Sequence, residues 1–175
     1  MSLLQEKIRE LKGVHDNGVK DLSNVQIKSY DEIFQSSHNY SEVFSEYHQE
    51  IITVVLPNSI EYLEVLVACI LTGNIFNPIP FFTSDDELVR IFKYVNPKIV
   101  ITTRELPKNL KTKQLVSNPE IFENVSSSFR LTSESSVIGS KIAALYYSSG
   151  TTGSPKGVLY SHDNIFYLIE SIIRG

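Results

Sequence analysis

Cysteine is nearly missing from this chain, with Cys69 standing alone. One cysteine closes no disulfide within a chain, which fits a reducing compartment. Its place in Val65-Leu66-Val67-Ala68-Cys69-Ile70-Leu71 marks it as a small core hydrophobe rather than a nucleophile. That same stretch is the longest apolar run, far short of the ~20 residues that span a bilayer. The N-terminus has no signal-peptide core, because Glu6, Lys7, Arg9, Glu10 and Lys12 crowd residues 4 to 12. An excess of basic charge is also lacking: 16 Lys and Arg stand against 20 Asp and Glu, for a net charge of −4. Neither nucleic acid nor an anionic membrane surface is expected as a partner. The four histidines, His15, His38, His48 and His162, show no metal-ligand spacing, and with one cysteine a zinc site is not expected. Together these absences describe a soluble protein of the cytoplasm.

What is present is ordinary globular material. Apolar residues make up 42% and charged residues 21% of 175 positions, enough for one large or two small domains. Leu3, Leu4, Ile8 and Leu11 predict a short leading helix stopped by Gly13. Ser29-Tyr30-Asp31-Glu32 has the form of a capping box and opens a helix, with a second helical stretch over Tyr40 to Tyr47. From residue 51 onward, strand and helix signals alternate. The β-branched run 51–56 reads as a buried strand closed by Pro57. Asn58-Ser59-Ile60-Glu61 reads as another capping box, opening a helix that ends at Gly73. A weaker strand covers 75–79, which Pro78 limits to a sheet edge or a strand end. Ser84 caps a helix whose Leu88, Ile91, Phe92 and Val95 share one face, and 99–102 is the next strand. The acids Asp85, Asp86 and Glu87 belong to that helix's first turn and need no cation to explain them. Strands separated by helices of this length imply a parallel α/β sheet flanked by helices.

Further on, the pattern weakens. Short strands are expected near Leu115 and Ile121, and seven serines in residues 126–141 mark a linker. Residues 142–147 and 158–160 read as strands, followed by a helix capped by Ser161 or Asp163. The expected organisation is a first α/β subdomain over 1–125, the linker 126–141, and the start of a second α/β subdomain over 142–175.

Between those two last strands lies Ser148-Ser149-Gly150-Thr151-Thr152-Gly153-Ser154-Pro155-Lys156-Gly157, in which five residues carry hydroxyls, three are glycine and one is lysine. Glycines let backbone N–H groups approach an oxyanion, hydroxyls donate to phosphate oxygens, and Lys156 adds a positive point charge. These are the parts of a triphosphate-binding loop. A Walker A loop is excluded, because Pro155 and Gly157 occupy the positions of its glycine and its Ser/Thr, and a strand follows in place of a helix.

The string resembles the signature of the adenylate-forming (AMP-binding) superfamily, which includes acyl-CoA synthetases and aryl-CoA ligases. Ser161-His162-Asp163-Asn164 resembles the family's Thr-His-x-Asn, and Leu56-Pro57-Asn58, Asn77-Pro78, Glu87-Leu88 and Asn96-Pro97-Lys98 extend the likeness upstream. One departure is Gln49-Glu50, where the family usually has Gly-Asp; it reads as a change of turn without catalytic meaning. The resemblance implies the N-terminal part of an ATP-dependent acid–thiol ligase, which joins a carboxylate to ATP and passes the acyl group to a thiol. It implies that Ser148, Ser149, Gly150, Thr151, Thr152, Gly153 and Lys156 hold ATP phosphates with Mg²⁺, with Lys156 in the catalytic role. Coenzyme A and a small carboxylic acid are the further implied partners.

By the same resemblance, the adenine-holding segment, the ribose-binding aspartate and the lysine of a mobile C-terminal domain would lie beyond Gly175. The chain alone is then expected to make no acyl-adenylate, whether it is a fragment of an enzyme or a truncated remnant that binds nucleotide or a partner. Self-association is expected through Ile165, Phe166, Leu168, Ile169, Ile172 and Ile173. The pair Phe81-Phe82 could line an acyl channel or serve ordinary packing.

Overall fold

The computed structural model describes residues 1–108, 110, 113–116, 141–148 and 156–174. The chain opens with α1 (Leu3–Arg9), the two short strands β1 (Gly18–Lys20) and β2 (Ile27–Ser29), and α2 (Tyr30–Phe44). Then follow β3 (Ile51–Val55), α3 (Ile60–Thr72), β4 (Ile75–Pro78), α4 (Asp85–Val95), β5 (Ile99–Thr102) and β6 (Lys113–Val116). The last described elements are β7 (Ile142–Ser148), β8 (Lys156–Ser161) and the C-terminal helix α5 (His162–Arg174).

Six strands form one sheet in the order β6-β5-β3-β4-β7-β8. All neighbours are parallel except β7 and β8, which pair antiparallel. β3 therefore lies inside the sheet, between β4 and β5, and its residues 52–55 are fully buried. That is why they form an unbroken apolar and β-branched run rather than an alternating one. The parallel pairing of 51–56 with 99–102 agrees with the strand–helix alternation of the sequence. β7 joins the same sheet at β4, with Phe76 opposite Ala144. The segment 142–148 thus extends the sheet formed by residues 51–102. The expected strand near Leu115 is β6, whereas Ile121 and residues 126–140 lie outside the described residues.

Helices cover both faces. On one side Tyr40 and Phe44 of α2, with Val65, Ala68 and Cys69 of α3, pack on Ile52, Val54, Phe76, Ile99 and Ile101. On the other, Leu88, Ile91 and Phe92 of α4 pack on Val55, Ile79 and Val100. Cys69 is fully buried, and burial pushes its thiol well above its ordinary value, so it acts as a core hydrophobe. A third cluster joins Phe34, Val67 and Leu71 to Ile8 and Leu11 at the base of α1.

Several local readings shift. The two helical stretches expected after residue 29 are one helix of 15 residues, because nothing between them breaks the backbone ladder. Ser59, not Asn58, caps α3 by accepting from the Tyr62 N–H. Glu61 is thereby freed from a capping box and accepts a 2.6 Å hydrogen bond from the Tyr40 hydroxyl. Pro78 ends an interior strand, where its missing N–H interrupts no ladder. The β1–β2 hairpin carried no periodic signal, since each strand has three residues and none is fully buried.

Gln49 occupies the left-handed region at φ 55. Its side-chain amide donates to the carbonyls of Gly73 at 2.6 Å and Ile142 at 3.3 Å. The departure from Gly-Asp seen in the sequence therefore has a physical content. A non-glycine residue bears left-handed strain there, and its side chain ties β3, α3 and β7 together at one edge of the sheet.

Candidate phosphate-binding and acid-binding site

Parallel strands align their carboxyl ends, so the turns that follow β3, β4, β5 and β7 all emerge at one edge of the sheet. In open α/β sheets that edge is where ligands bind. The hydroxyl- and glycine-rich string leaves from it. Its first residue, Ser148, ends β7; Lys156 begins β8; the two face each other across the antiparallel ladder. The Ser148 Oγ donates to the Lys156 carbonyl at a long 3.5 Å. The hairpin thus brings both ends of the loop together at adjacent strand positions. Ser149, Gly150, Thr151, Thr152 and Gly153 lie outside the described residues.

Lys156 is exposed and makes no ion pair among the described residues. Gly157, opposite Tyr147, is held by space rather than by backbone angle: a Cβ there would come 3.0 Å from Leu145 Cδ1. His162 follows β8 directly. It is fully buried, its N–H donates to the Lys141 carbonyl, and its Nδ1 lies 3.1 Å from Ser2 Oγ. The ring is therefore packed inside the protein, between the end of β8 and the N-terminal segment. Ser161 is the cap of α5, accepting from the Asn164 N–H at 3.1 Å.

Beside the hairpin lies a cavity of about 590 Å³ lined by residues from the carboxyl ends of three strands. Leu56, Pro57 and Asn58 follow β3; Pro78, Pro80, Phe81 and Phe82 end or follow β4; Tyr146 and Tyr147 end β7; Tyr62 reaches in from α3. Among these, the sequence suggests only Phe81 and Phe82 as cavity-lining residues, and Leu56-Pro57-Asn58 and Pro78 stand out there for family likeness alone. The remainder become recognisable only once strand order puts 56–58, 78–82 and 146–147 on a common edge.

Burial raises the hydroxyl pKa of Tyr146 and Tyr147 and pushes that of Tyr62 up to about 12, so all three remain protonated. Asn77, fully buried beneath the cleft, donates through Nδ2 to Thr53 Oγ1 at 2.8 Å. Its amide lies near enough to Tyr147 to oppose part of the effect of burial, but not at hydrogen-bonding geometry. The Tyr147 hydroxyl and Asn77 Oδ1 are accordingly buried without a bond partner among the described residues. A polar cavity of about 440 Å³ lies elsewhere, between the β1–β2 hairpin and helices α2 and α3. Its charged groups are largely spoken for, with Lys28 on Glu64 at 2.7 Å and Tyr40 on Glu61.

Comparison with known proteins bears on this arrangement. The chain is 29% identical over 116 residues to a D-alanine–D-alanyl carrier protein ligase of Streptococcus equi subsp. equi, a stretch covering 66% of this chain and 23% of that protein. The chain thus spans less than a quarter of the length of that relative. Among solved structures, VinN in complex with 3-methylaspartate superposes with a TM-score of 0.84 at 20% identity, over 98% of this chain and 50% of the other. ATP-bound MatB from Rhodopseudomonas palustris superposes with a TM-score of 0.81 at 19% identity, over 98% of this chain and 37% of the other. At such identities the shared property is the fold. The family model described as AMP-binding enzyme matches residues 17–174, and the chain belongs to that family of adenylate-forming ligases.

Proposed function

We propose that this chain is the N-terminal, phosphate-binding part of an ATP-dependent acid–thiol ligase acting in the cytoplasm. In the reaction proposed, a carboxylate oxygen attacks the α-phosphorus of ATP, the bond to pyrophosphate breaks, and an acyl-adenylate forms. A thiol then attacks the acyl carbon and AMP departs. The thiol acceptor is coenzyme A in one version of this reading and a carrier-protein thiol in the other, the latter being what the streptococcal relative's name describes.

One observation supports the reading above the rest. The two ends of the hydroxyl- and glycine-rich string, Ser148 and Lys156, face each other at the open end of the β7–β8 hairpin, and Lys156 makes no ion pair among the described residues. The donors there suit a polyphosphate: hydroxyls, backbone N–H groups and one ammonium, with no acid among residues 148–157. No cluster of three His, Cys, Asp or Glu side chains able to hold a metal occurs among the described residues. Mg²⁺ would therefore be carried largely by phosphate oxygens and water, its usual habit in nucleotide sites. Bound there, it would neutralise phosphate charge, while Ser148, Ser149, Gly150, Thr151, Thr152, Gly153 and Lys156 would position the β- and γ-phosphates.

The test is calorimetric titration of the chain with Mg²⁺ and inorganic tripolyphosphate. Tripolyphosphate should bind, and Lys156→Ala should weaken it about tenfold, the effect of losing roughly 1.4 kcal/mol of charge-assisted contact. Stability should change by no more than about 0.5 kcal/mol, because an exposed lysine has little packing to lose. Absence of binding, or binding indifferent to Lys156→Ala, would refute the phosphate-loop reading.

A further inference from the structure

We infer that the polar cleft between the β1–β2 hairpin and helices α2 and α3 is a site for a small organic cation, whose ammonium or guanidinium group donates to Asp21 and Glu61. The inference stands on this cleft alone and does not rest on the ligase reading.

An unsatisfied carboxylate comes first. Asp21 sits in the turn between β1 and β2, lines the cleft and is 6% exposed. Its Oδ1 accepts from the Ser23 N–H at 2.8 Å and from the Ser23 hydroxyl at 2.6 Å. These bonds, the hydroxyl's above all, hold the carboxyl below its ordinary value, so it is ionised at neutral pH. The Ile60 N–H, at the start of α3, adds to that effect without reaching hydrogen-bonding geometry. Oδ2 is buried and has no hydrogen-bond partner among the described residues. A charged oxygen so placed is costly until a donor reaches it. The turn is closed at its base by the bond from the Asp21 N–H to the Gln26 carbonyl, at 2.8 Å, while residues 22–26 are exposed and can shift to admit that donor.

Charge balance comes second. Glu61 and Glu64 stand three residues apart on α3, on the wall that faces the hairpin. Glu64 is paired with Lys28 at 2.7 Å, and Lys28 donates also to Ser36 at 3.1 Å. Glu61 accepts from the Tyr40 hydroxyl at 2.6 Å, a neutral donor that leaves its charge in place. Three carboxyl groups therefore share one ammonium among the described residues of the wall, and Glu64 already engages it. Asp21 on the hairpin and Glu61 on the helix present their charge to the same space.

The remaining walls indicate what kind of cation fits. At about 440 Å³ the cleft is of small-molecule size. Asn24, Gln26 and Asn39 add neutral side-chain acceptors to the carboxylates. An ammonium or guanidinium brings a charge and several N–H donors at once, the complement of such walls. A metal ion needs its ligands grouped around one point, and no such group occurs among the described residues. A polyol brings donors without charge and leaves the carboxylates uncompensated.

The experiment is calorimetric titration of the 175-residue chain at pH ~7.5 and low salt with putrescine, agmatine, Nα-acetyl-lysine methylamide, Mg²⁺ and glycerol, each alone. Putrescine or agmatine should bind at least about tenfold more tightly than Mg²⁺ or glycerol. Asp21→Asn keeps an acceptor for Ser23 but puts an N–H₂ group in place of the unsatisfied oxygen, and should weaken the better amine by about tenfold or more. Glu61→Gln keeps an acceptor for Tyr40 and removes the charge, and should weaken it about threefold. If circular dichroism shows that Asp21→Asn does not fold, Glu61→Gln decides alone. Absence of binding by both free amines overturns the inference, since water then completes Asp21. So does equal binding of Mg²⁺ or glycerol, or amine binding indifferent to the substitutions. Binding of the capped lysine without binding of either free amine also overturns it, by giving the cleft to a side chain of a protein partner.

Discussion

Acid should destabilise this chain through a single buried imidazole. His162 is fully buried at the start of α5, and burial lowers its pKa from 6.5 to about 4, with nearby Asp163 opposing only part of that effect. The structure supplies the reason. Nδ1 faces Ser2 Oγ, but Nε2 is buried without a hydrogen-bond partner among the described residues. A protonated ring would have to leave one charged N–H unsatisfied. The folded value is depressed, so the stabilisation is complete above pH ~6.5 and is lost as pH falls toward ~4. The difference between 6.5 and about 4, at about 1.36 kcal/mol per pH unit, comes to about 3 kcal/mol, of which about 2 kcal/mol is lost between pH ~7.5 and ~5. Urea unfolding of the chain and of His162→Asn at both pH values isolates this contribution from the carboxylates, whose titration is common to both. The variant should be the less stable at pH ~7.5, and the gap should shrink by about 2 kcal/mol at pH ~5. A gap of the same size at both pH values would show that the histidine is not held neutral by its surroundings.

Three further outcomes follow from packing. Asn74 is fully buried, donates to the carbonyls of Phe44 at 2.9 Å and Tyr47 at 3.0 Å, and accepts from the Glu50 N–H at 3.2 Å. Asn74→Ala should therefore cost about 3 kcal/mol in urea unfolding, and a loss below ~1 kcal/mol would mean that water replaces those bonds without penalty. Gln49→Gly should unfold at higher urea than Gln49→Ala by about 1 kcal/mol, since both lose the side-chain bonds but only glycine is relaxed at φ 55. The outer face of α5 exposes Tyr167, Leu168, Ile169, Ile172 and Ile173, next to Leu159 of β8, whereas Ile165 and Phe166 are half-buried. Sedimentation velocity should show reversible association that grows with concentration and falls with Ile172→Glu; a monomer at every concentration would contradict the patch.

How far the residues alone reveal such a molecule depends on what each signal encodes. The runs 51–55 and 99–102 are readable as strands because burial on both faces demands apolar residues at every position. Gly73 is readable as a helix stop because it adopts the left-handed conformation that few other residues tolerate, whereas α4 is stopped in the sequence by Pro97 and the left-handed cap at Asn96 is seen only in the structure. The choice between Asn58 and Ser59 as cap is not readable, since both residue types accept from N–H groups and only the path of the chain out of β3 decides. The hairpin at residues 18–29 is silent for a different reason: its pairing is stabilised by the backbone ladder, which leaves no hydrophobic period. At the candidate site, the string 148–157 stands out by composition, since the proposed phosphate binding calls for glycine and hydroxyls together. Of the aromatic cleft the sequence suggests only the adjacent pair Phe81-Phe82, because prolines and tyrosines far apart in sequence acquire a common meaning only through the parallel alignment of β3, β4 and β7.

The clasp between Ser2 and His162 has a consequence for how the molecule is made. Helix α1 lies upstream of the residues matched by the family model, yet it packs against both α3 and α5. Gln5 can secure its bonds to the carbonyls of Ile70 and Leu71 early in synthesis. The imidazole that completes the clasp emerges 160 residues after the serine it meets, roughly 10–30 s later at ordinary ribosomal speed. During that interval the leading helix rests on α3 with its other flank open. Helix α1 is therefore among the last elements to be locked, and an expression boundary placed at residue 17 would remove the piece that fastens the end of the β7–β8 hairpin.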